Sequence, residues 1–286
     1  MESSEFKIDE YAPSKEPFYL EIAGEKQIFM AAYEAGIPLM IKGPTGCGKS
    51  RLVERMSFEI NQKLKKSEGT DFHSLPLVTV PCHEDLTADD LKGRYLLTGE
   101  YQEGPALIAA RRGGILYLDE IVEARPDTIV VMHPLADHRR SLVIEKLGKI
   151  VTAPDTFMLV ISYNPGYQRK IKELKQSTRQ RFAAIEMTYP PSKAEEEIVT
   201  HEAGVDLPTA RCLVEIAGKV RNLKGSALDE GASTRLLINT GKLIKKGIAP
   251  FRACEVGILN PITDQADAYA KEMKALEDIV VNYFPR

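Results

Sequence analysis

Apolar positions recur at helical spacing between Glu25 and Gly36, where Ile28, Phe29, Ala32 and Tyr33 would share one face. Gly36 would end that helix. Leu39-Met40-Ile41 reads as a short buried strand, and Arg51-Leu52-Val53-Glu54-Arg55-Met56 as a helix that opens at Lys49. The polar stretch from Asn61 to Thr70 predicts surface loop. Leu77-Val78-Thr79-Val80, a β-branched run between prolines, predicts a second buried strand. Asp85 to Leu91 predicts a helix with Thr87 as its cap and Asp90 at the third position. Ala106 to Arg112 predicts another.

Ile115 to Leu118, Phe157 to Ser162 and Ile185 to Thr188 add three strands to this series. Two hairpins interrupt it. One spans Lys92 to Pro105, with glycines among Tyr95, Leu96, Leu97 and Tyr101; the other spans Arg140 to Thr152 and turns near Gly148. Strands alternating with helices imply an α/β fold with a parallel sheet covered on both faces. Beyond Tyr189-Pro190-Pro191 the pattern is helical throughout: Lys193 to Glu202, Pro208 to Asn222, Ser233 to Lys246, and about Asp264 to Val281. The expected organisation is therefore an α/β nucleotide-binding domain over 1–190 and a smaller all-helical lid domain over 191–286.

The first strand runs into Gly43-Pro44-Thr45-Gly46-Cys47-Gly48-Lys49-Ser50, which fits G-x-x-x-x-G-K-[ST] between a strand and a helix. Glycines let successive N–H groups point at one anion, and the helix N-terminus adds its positive dipole end. Lys49 can reach β- and γ-phosphates, and the Ser50 hydroxyl can ligate Mg²⁺. The motif predicts binding of a nucleoside triphosphate. About seventy residues on, the strand at Ile115 ends in Asp119-Glu120. Asp119 can hold Mg²⁺ through its water shell, and Glu120 can polarise an attacking water. Asn164, just past another buried strand, could hydrogen-bond both the γ-phosphate and that water. An ordinary Asn-Pro-Gly turn is the competing reading. Arg179 and Arg181 offer guanidinium groups for transition-state charge, and Arg235 opens a helix of the second domain. Each taken alone reads as a surface arginine.

Length and composition narrow the class. With 286 residues, 43 % apolar and 28 % charged, the chain is an ordinary globule of one large and one small domain. A net charge of −3 without a basic stripe argues against nucleic acid as partner. No apolar run approaches the ~20 residues that span a bilayer. The polar, acidic start Met1-Glu2-Ser3-Ser4-Glu5 does not read as a secretory signal. Cys47, Cys82, Cys212 and Cys254 are scattered, which fits free thiols in a reducing cytoplasm. Cys82-His83 with Asp85 lacks a second pair at zinc spacing. His133 and His138, five apart across Pro134, read as structural.

Taken together and in this order, the motifs resemble the AAA+ P-loop ATPases. The two inserted hairpins are similar to those of the MoxR branch. The chain resembles most the CbbQ/NirQ/NorQ group, above all its CbbQ members, through Lys42 to Ser50, Tyr117-Leu118-Asp119-Glu120 and Glu123-Ala124-Arg125. His138-Arg139-Arg140, Val160 to Tyr167, Ser177 to Phe182 and Gly231 to Arg235 continue the likeness. The resemblance implies a homohexameric ring with ATP and Mg²⁺ between neighbours. Lys49 and Ser50 would be Walker A, Asp119 and Glu120 Walker B, Asn164 sensor 1 and Arg235 sensor 2. Arg179 or, by preference, Arg181 would be the arginine finger. It further implies a partner with a von Willebrand factor A domain (CbbO-like). The client would be inhibited Rubisco or, in the NirQ and NorQ members, denitrification enzymes such as nitric oxide reductase, with overall likeness leaning to Rubisco. The nearest approach to an aromatic-hydrophobic-Gly pore loop is Tyr95-Leu96-Leu97-Thr98-Gly99. That favours a pull or twist through the partner over threading. A small-molecule P-loop kinase would also use the phosphate loop, but would not need the hairpins or the helical domain.

Overall fold

The computed structural model describes residues 12–69, 73–165, 174–223, 231–263 and 269–286. Thr70, Gly166 and Tyr167 lie outside the described residues. So do the first eleven positions of the chain and Asp264 to Ala268, the start of the last expected helix.

In chain order the first elements are α1 (Glu25–Glu34), β1 (Leu39–Lys42), α2 (Lys49–Glu68), β2 (Leu77–Pro81), α3 (Ala88–Lys92), β3 (Gly93–Tyr95) and β4 (Tyr101–Glu103). Then come α4 (Pro105–Arg112), β5 (Gly114–Asp119), α5 (Pro126–Val130), β6 (Ser141–Ile144), β7 (Lys149–Thr152), β8 (Phe157–Tyr163), α6 (Gln176–Arg179) and β9 (Ala183–Glu186). Five of the strands form one parallel sheet in the order β2-β5-β8-β1-β9. Successive side chains on a strand alternate between faces, and the two cores divide accordingly. Leu39, Ile41, Ile115, Tyr117, Met158 and Val160 pack with Phe29 of α1 and Leu52, Val53 and Met56 of α2. Met40, Leu116, Leu118, Leu159 and Ile161 face the other way, onto Leu107 and Ala110 of α4. This is the α/β sheet covered on both faces that the strand–helix alternation implies, with both hairpins present as β3–β4 and β6–β7.

Three expectations need correction. The stretch from Asn61 to Glu68 is not loop but the continuation of α2. Ile60 is buried and Leu64 packs on the core, while the Asn61 side chain donates to Leu75 O (3.1 Å) and accepts from Leu75 N (2.7 Å), so the polar residues line an outer face of a helix anchored on its inner one. The last strand begins at Ala183 rather than Ile185, because its register is set by pairing with β1 at Leu39↔Ala183. The helix at Asp85 begins only at Ala88. Thr87 caps it, in a capping box with Asp90, and that bonding draws the Asp90 carboxyl below its usual range.

The turn of the second hairpin is tied to α3, the helix that leads into the first. Lys92 Nζ bonds both carboxylate oxygens of Glu145 (2.8 and 2.7 Å), and Lys146 Nζ bonds Asp89 (2.5 Å). Arg140, at φ 44°, donates to the carbonyls of Gly36 (3.2 Å), Pro154 (3.0 Å) and Phe157 (2.8 Å), stapling the base of the second hairpin to the sheet. Leu97, at the tip of the first hairpin, is fully exposed.

A second compact unit contains Thr188–Arg286 together with the five loop residues Pro44–Gly48; the first holds the rest of the chain up to Met187. Its helices are α7 (Ser192–Ala203), α8 (Leu207–Asn222), α9 (Thr234–Lys245), α10 (Pro250–Cys254), α11 (Asn260–Ile262) and α12 (Tyr269–Val281). A π-helical turn, Glu255–Leu259, joins α10 to α11. Val199, Leu213, Ile216, Val220, Leu237, Ile258, Leu276 and Val280 form the core. The helical run over Pro250–Ile262 has no counterpart among the expected elements. Its proline start and π turn interrupt the simple 3.6-residue period.

Candidate nucleotide site

The strand alternation that divides the cores also builds the site. Tyr117 and Asp119 on β5 point to the α2 side of the sheet, and Ser162 on β8 shares that side with Met158 and Val160. Ser50, in the first turn of α2, meets them there. Its Oγ lies 3.4 Å from Asp119 Oδ2 and 3.3 Å from the Tyr117 hydroxyl. Tyr117 donates to Asp119 Oδ1 at 2.6 Å, and Ser162 Oγ donates to the same oxygen at 2.5 Å. Both hydroxyl protons are thus spent on Oδ1, and Oδ2 is the oxygen turned towards Ser50. The Ser162 oxygen accepts the N–H of Glu120 at 3.3 Å. Glu120 itself sits in the left-handed region (φ 54°, ψ 49°), which costs a non-glycine residue about 1–2 kcal/mol. The strand therefore ends abruptly at Asp119, and Glu120 is swung out of line.

Lys49 is buried, and its ammonium donates to Gly43 O (2.9 Å) and stands 3.9 Å from Glu120 Oε1. Gly43 N donates to Tyr163 O (3.2 Å), which brings the loop's first residue beside the end of β8. Asn164, the next residue on, is buried there. The sheet order, with β8 between β5 and β1, is what brings Lys49, Asp119, Glu120 and Asn164 to one edge, at the carboxyl ends of the strands.

Thr45, Gly46, Cys47 and Gly48 pack with the helical unit. Gly46 has φ 70°, and a Cβ there would come within 2.8 Å of Ser233 Cβ and 3.1 Å of Arg235 Cβ. Only glycine fits both the backbone angle and the gap. Ser233 caps α9 by accepting from Leu236 N (3.4 Å). Arg235 is exposed on the first turn of that helix, its Cβ against the loop.

Arg179 is exposed at the end of α6, and Arg181 is half-buried just beyond it. Arg181 bonds back to Ser177 O. Among the described residues neither guanidinium bonds to Lys49, Ser50, Asp119 or Glu120. His133 Nε2 lies 3.0 Å from Thr178 Oγ1 in α6. Burial, with the charge of Arg181 added, lowers the His133 pKa. The Cys82 thiol is pushed up to about 12 by burial and by the carboxylates of Asp119 and Glu120, so it is neutral and inert.

Tyr117 and Ser162 were legible as members of apolar runs and of segments that carry the family likeness, with no role of their own. A polar side chain in the interior of a strand that is otherwise wholly buried is the signal that could have found them, since such a group needs a partner.

The donors around Ser50 are oxygens only, a hydroxyl and a carboxylate, which suits a small hard cation such as Mg²⁺. Among the described residues no three His, Cys, Asp or Glu side chains gather to hold a metal by themselves. A cation here would draw its remaining ligands from phosphate and water, as Mg²⁺ does in nucleotide sites.

Residues 38–182 match the AAA domain (dynein-related subfamily), and residues 195–282 match the CbbQ/NirQ/NorQ C-terminal family. The chain belongs to the CbbQ/NirQ/NorQ family of AAA+ proteins. Protein CbbQ of Hydrogenophilus thermoluteolus is 53 % identical over 262 residues, covering 91 % of this chain and 93 % of that protein. The denitrification regulatory protein NirQ of Stutzerimonas stutzeri is 47 % identical (94 % and 92 % covered), and NorQ of Paracoccus denitrificans 45 % (94 % of each). A mutant of RuvB from Thermotoga maritima superposes with a TM-score of 0.53 at 17 % identity, covering 89 % of this chain and 71 % of that one, which shows the shared fold. Like its AAA+ kin, this CbbQ/NirQ/NorQ-family chain is a P-loop protein of ATPase type. Among its described residues no helix is long and apolar enough to cross a membrane.

Proposed function

We propose that this chain is the motor subunit of a ring that hydrolyses ATP to remodel another enzyme. The observation that carries the reading is the convergence of Ser50 Oγ on Asp119 Oδ2, with the Lys49 ammonium beside the Glu120 carboxylate. A hydroxyl and a carboxylate side by side are the pair that would hold Mg²⁺, and the buried ammonium would hold the β- and γ-phosphates. When bound, Mg²⁺ neutralises charge on the transferring phosphoryl group. Glu120 would accept a hydrogen bond from the attacking water and polarise it, and Asn164 would orient that water against the γ-phosphate. Arg235 would contact the nucleotide from the helical unit. Arg181, with Arg179 as the alternative, would act on a neighbouring subunit's nucleotide, since within its own chain it turns back on Ser177.

Following the family likeness, the ring is a homohexamer working in the cytoplasm with a von Willebrand factor A domain partner. Identity to CbbQ (53 %) exceeds that to NirQ (47 %) and NorQ (45 %), and on that margin the proposed client is Rubisco blocked by sugar phosphates. The test is reactivation of inhibited Rubisco by the protein with its partner and ATP. Recovery that needs all three components is expected. Failure there, with successful maturation of nitric oxide reductase, would move the client to the denitrification branch. Transfer of phosphate to a small acceptor would replace the motor with a kinase.

A further inference from the structure

The grip of the helical unit on the phosphate loop runs through a line of polar contacts beginning at Tyr189. Its hydroxyl donates to Thr45 O at 3.2 Å. The Arg221 guanidinium lies over the Tyr189 ring, 4.1 Å from the centroid. Both ends of the same guanidinium reach Glu195, at 2.8 and 2.6 Å, and its Nε donates to Ala232 O at 2.7 Å. Thr234 Oγ1 donates to Glu195 Oε1 at 2.6 Å. Segment 231–235 is thus fastened at Ala232 and Thr234. The residues that face Gly46, Ser233 and Arg235, are interleaved with these two anchor points. Fit on the other side is equally close, for a Cβ on Gly231 would lie 3.0 Å from Arg221 Cα.

Glu195 is only 1 % exposed. A buried ion pair is a poor way to gain stability, because desolvation consumes most of the attraction and an apolar packing would serve as well. What a bidentate fork supplies is direction. Here it fixes the plane of the guanidinium, which in turn fixes the ring beneath it and the hydroxyl aimed at Thr45. A trans peptide sets C=O and N–H on opposite sides. Holding the Thr45 carbonyl toward Tyr189 therefore points the Gly46 N–H away from it, the orientation needed by a loop that offers N–H groups to an anion.

We propose that Arg221, Glu195 and Tyr189 are positioning residues that hold the phosphate loop and the start of α9 in one conformation and so set nucleotide affinity. The proposal rests on the reading of Gly43 to Ser50 as a nucleotide site.

The test is titration of the full-length protein with a fluorescent ATP analogue, alongside thermal melting and steady-state ATPase rates. Tyr189→Phe removes the hydroxyl and keeps the ring. It is expected to melt within a few degrees of the unsubstituted protein, the cost of about one net hydrogen bond. It should bind about 5-fold more weakly if that hydrogen bond is what orders the loop for the nucleotide, and raise KM with kcat within about twofold. Arg221→Lys keeps the charge but not the planar fork, and is expected to weaken binding similarly. The two together should weaken it little more than either alone, because both act through the Thr45 carbonyl. Unchanged affinity in Tyr189→Phe, a lowered melting point without an affinity change, or fully multiplicative effects would each overturn the proposal. Lys49→Ala separates the two layers. If it abolishes binding while Tyr189→Phe binds normally, only the positioning role is lost; if it binds normally, the loop reading falls and this proposal with it.

Discussion

The Tyr117 hydroxyl donates a 2.6 Å hydrogen bond to the carboxylate of Asp119, two residues further along the same strand and on the same face. Tyr117 is 1 % exposed, so its ring and hydroxyl are held in place by the surrounding core. Ser162 adds a second donor to the same oxygen from the neighbouring strand. The pair decides which lone pairs of Asp119 are occupied and which remain for Ser50 and a cation.

Tyr117→Phe and Ser162→Ala should therefore weaken Mg²⁺ binding before they weaken the fold. Groups that orient a metal's ligands typically change metal affinity by about 10- to 100-fold, whereas each net hydrogen bond contributes about 1 kcal/mol to stability. A Mg²⁺ titration of ATPase rate in either variant should shift its midpoint upward by about 10-fold. A midpoint that stays in place would show that Asp119 needs neither donor.

Lys49→Ala should abolish ATP binding, because the β- and γ-phosphates lose their cation. Glu120→Gln keeps the volume of the side chain and the Ser50–Asp119 pair, so it should bind ATP normally. It should turn over about 10²- to 10⁴-fold more slowly, the usual cost of losing a general base. Equilibrium binding and single-turnover hydrolysis, measured on both variants, check the division of labour.

Arg181 bonds to Ser177 O within its own chain, and the proposed role is on a neighbour's nucleotide. Mixing Arg181→Ala with Lys49→Ala subunits should restore activity at interfaces that pair an intact Lys49 with an intact Arg181. Inactive mixtures at every ratio would place the arginine in its own subunit's site or outside catalysis.

His133 is held below its ordinary pKa, first by burial and then by the charge of Arg181. Its folded-state value is lower than the unfolded value of about 6.5, so its stabilising contribution is complete above that pH. It is lost as pH falls below about 6.5 and through the folded value. Ring NMR should show a His133 midpoint below the unfolded one. Arg181→Ala should raise that midpoint, since a repelling charge is gone. An unshifted titration in that variant would separate the two side chains.

The candidate site's residues could be picked out from local pattern because the members of each motif lie next to one another along the chain. Gly43 to Ser50 and Asp119-Glu120 each need only a strand end and the residues after it. Polar stretches were harder. Asn61 to Glu68 looked like loop because Lys63, Lys65 and Lys66 mask the inward positions of Ile60 and Leu64, and side-chain bonding by Asn61 to Leu75 acts across fourteen residues. The extent of β9 was set by its pairing with β1, not by the apolarity of Ile185.

What the sequence alone determined was the set of candidate groups and their order: a phosphate-loop motif, two carboxylates at a strand end, an asparagine at another, and arginines beyond. Period-2 and period-3.6 patterns are local, so the strands and most helices followed from them. Only the tertiary structure decided that β8 lies between β5 and β1, that Tyr117 and Ser162 both hold one oxygen of Asp119, and that Glu195 and Arg221 reach the phosphate loop through Tyr189. Those contacts join residues that are up to 144 positions apart. Partners so distant along the chain are chosen by packing and register, which no local pattern encodes.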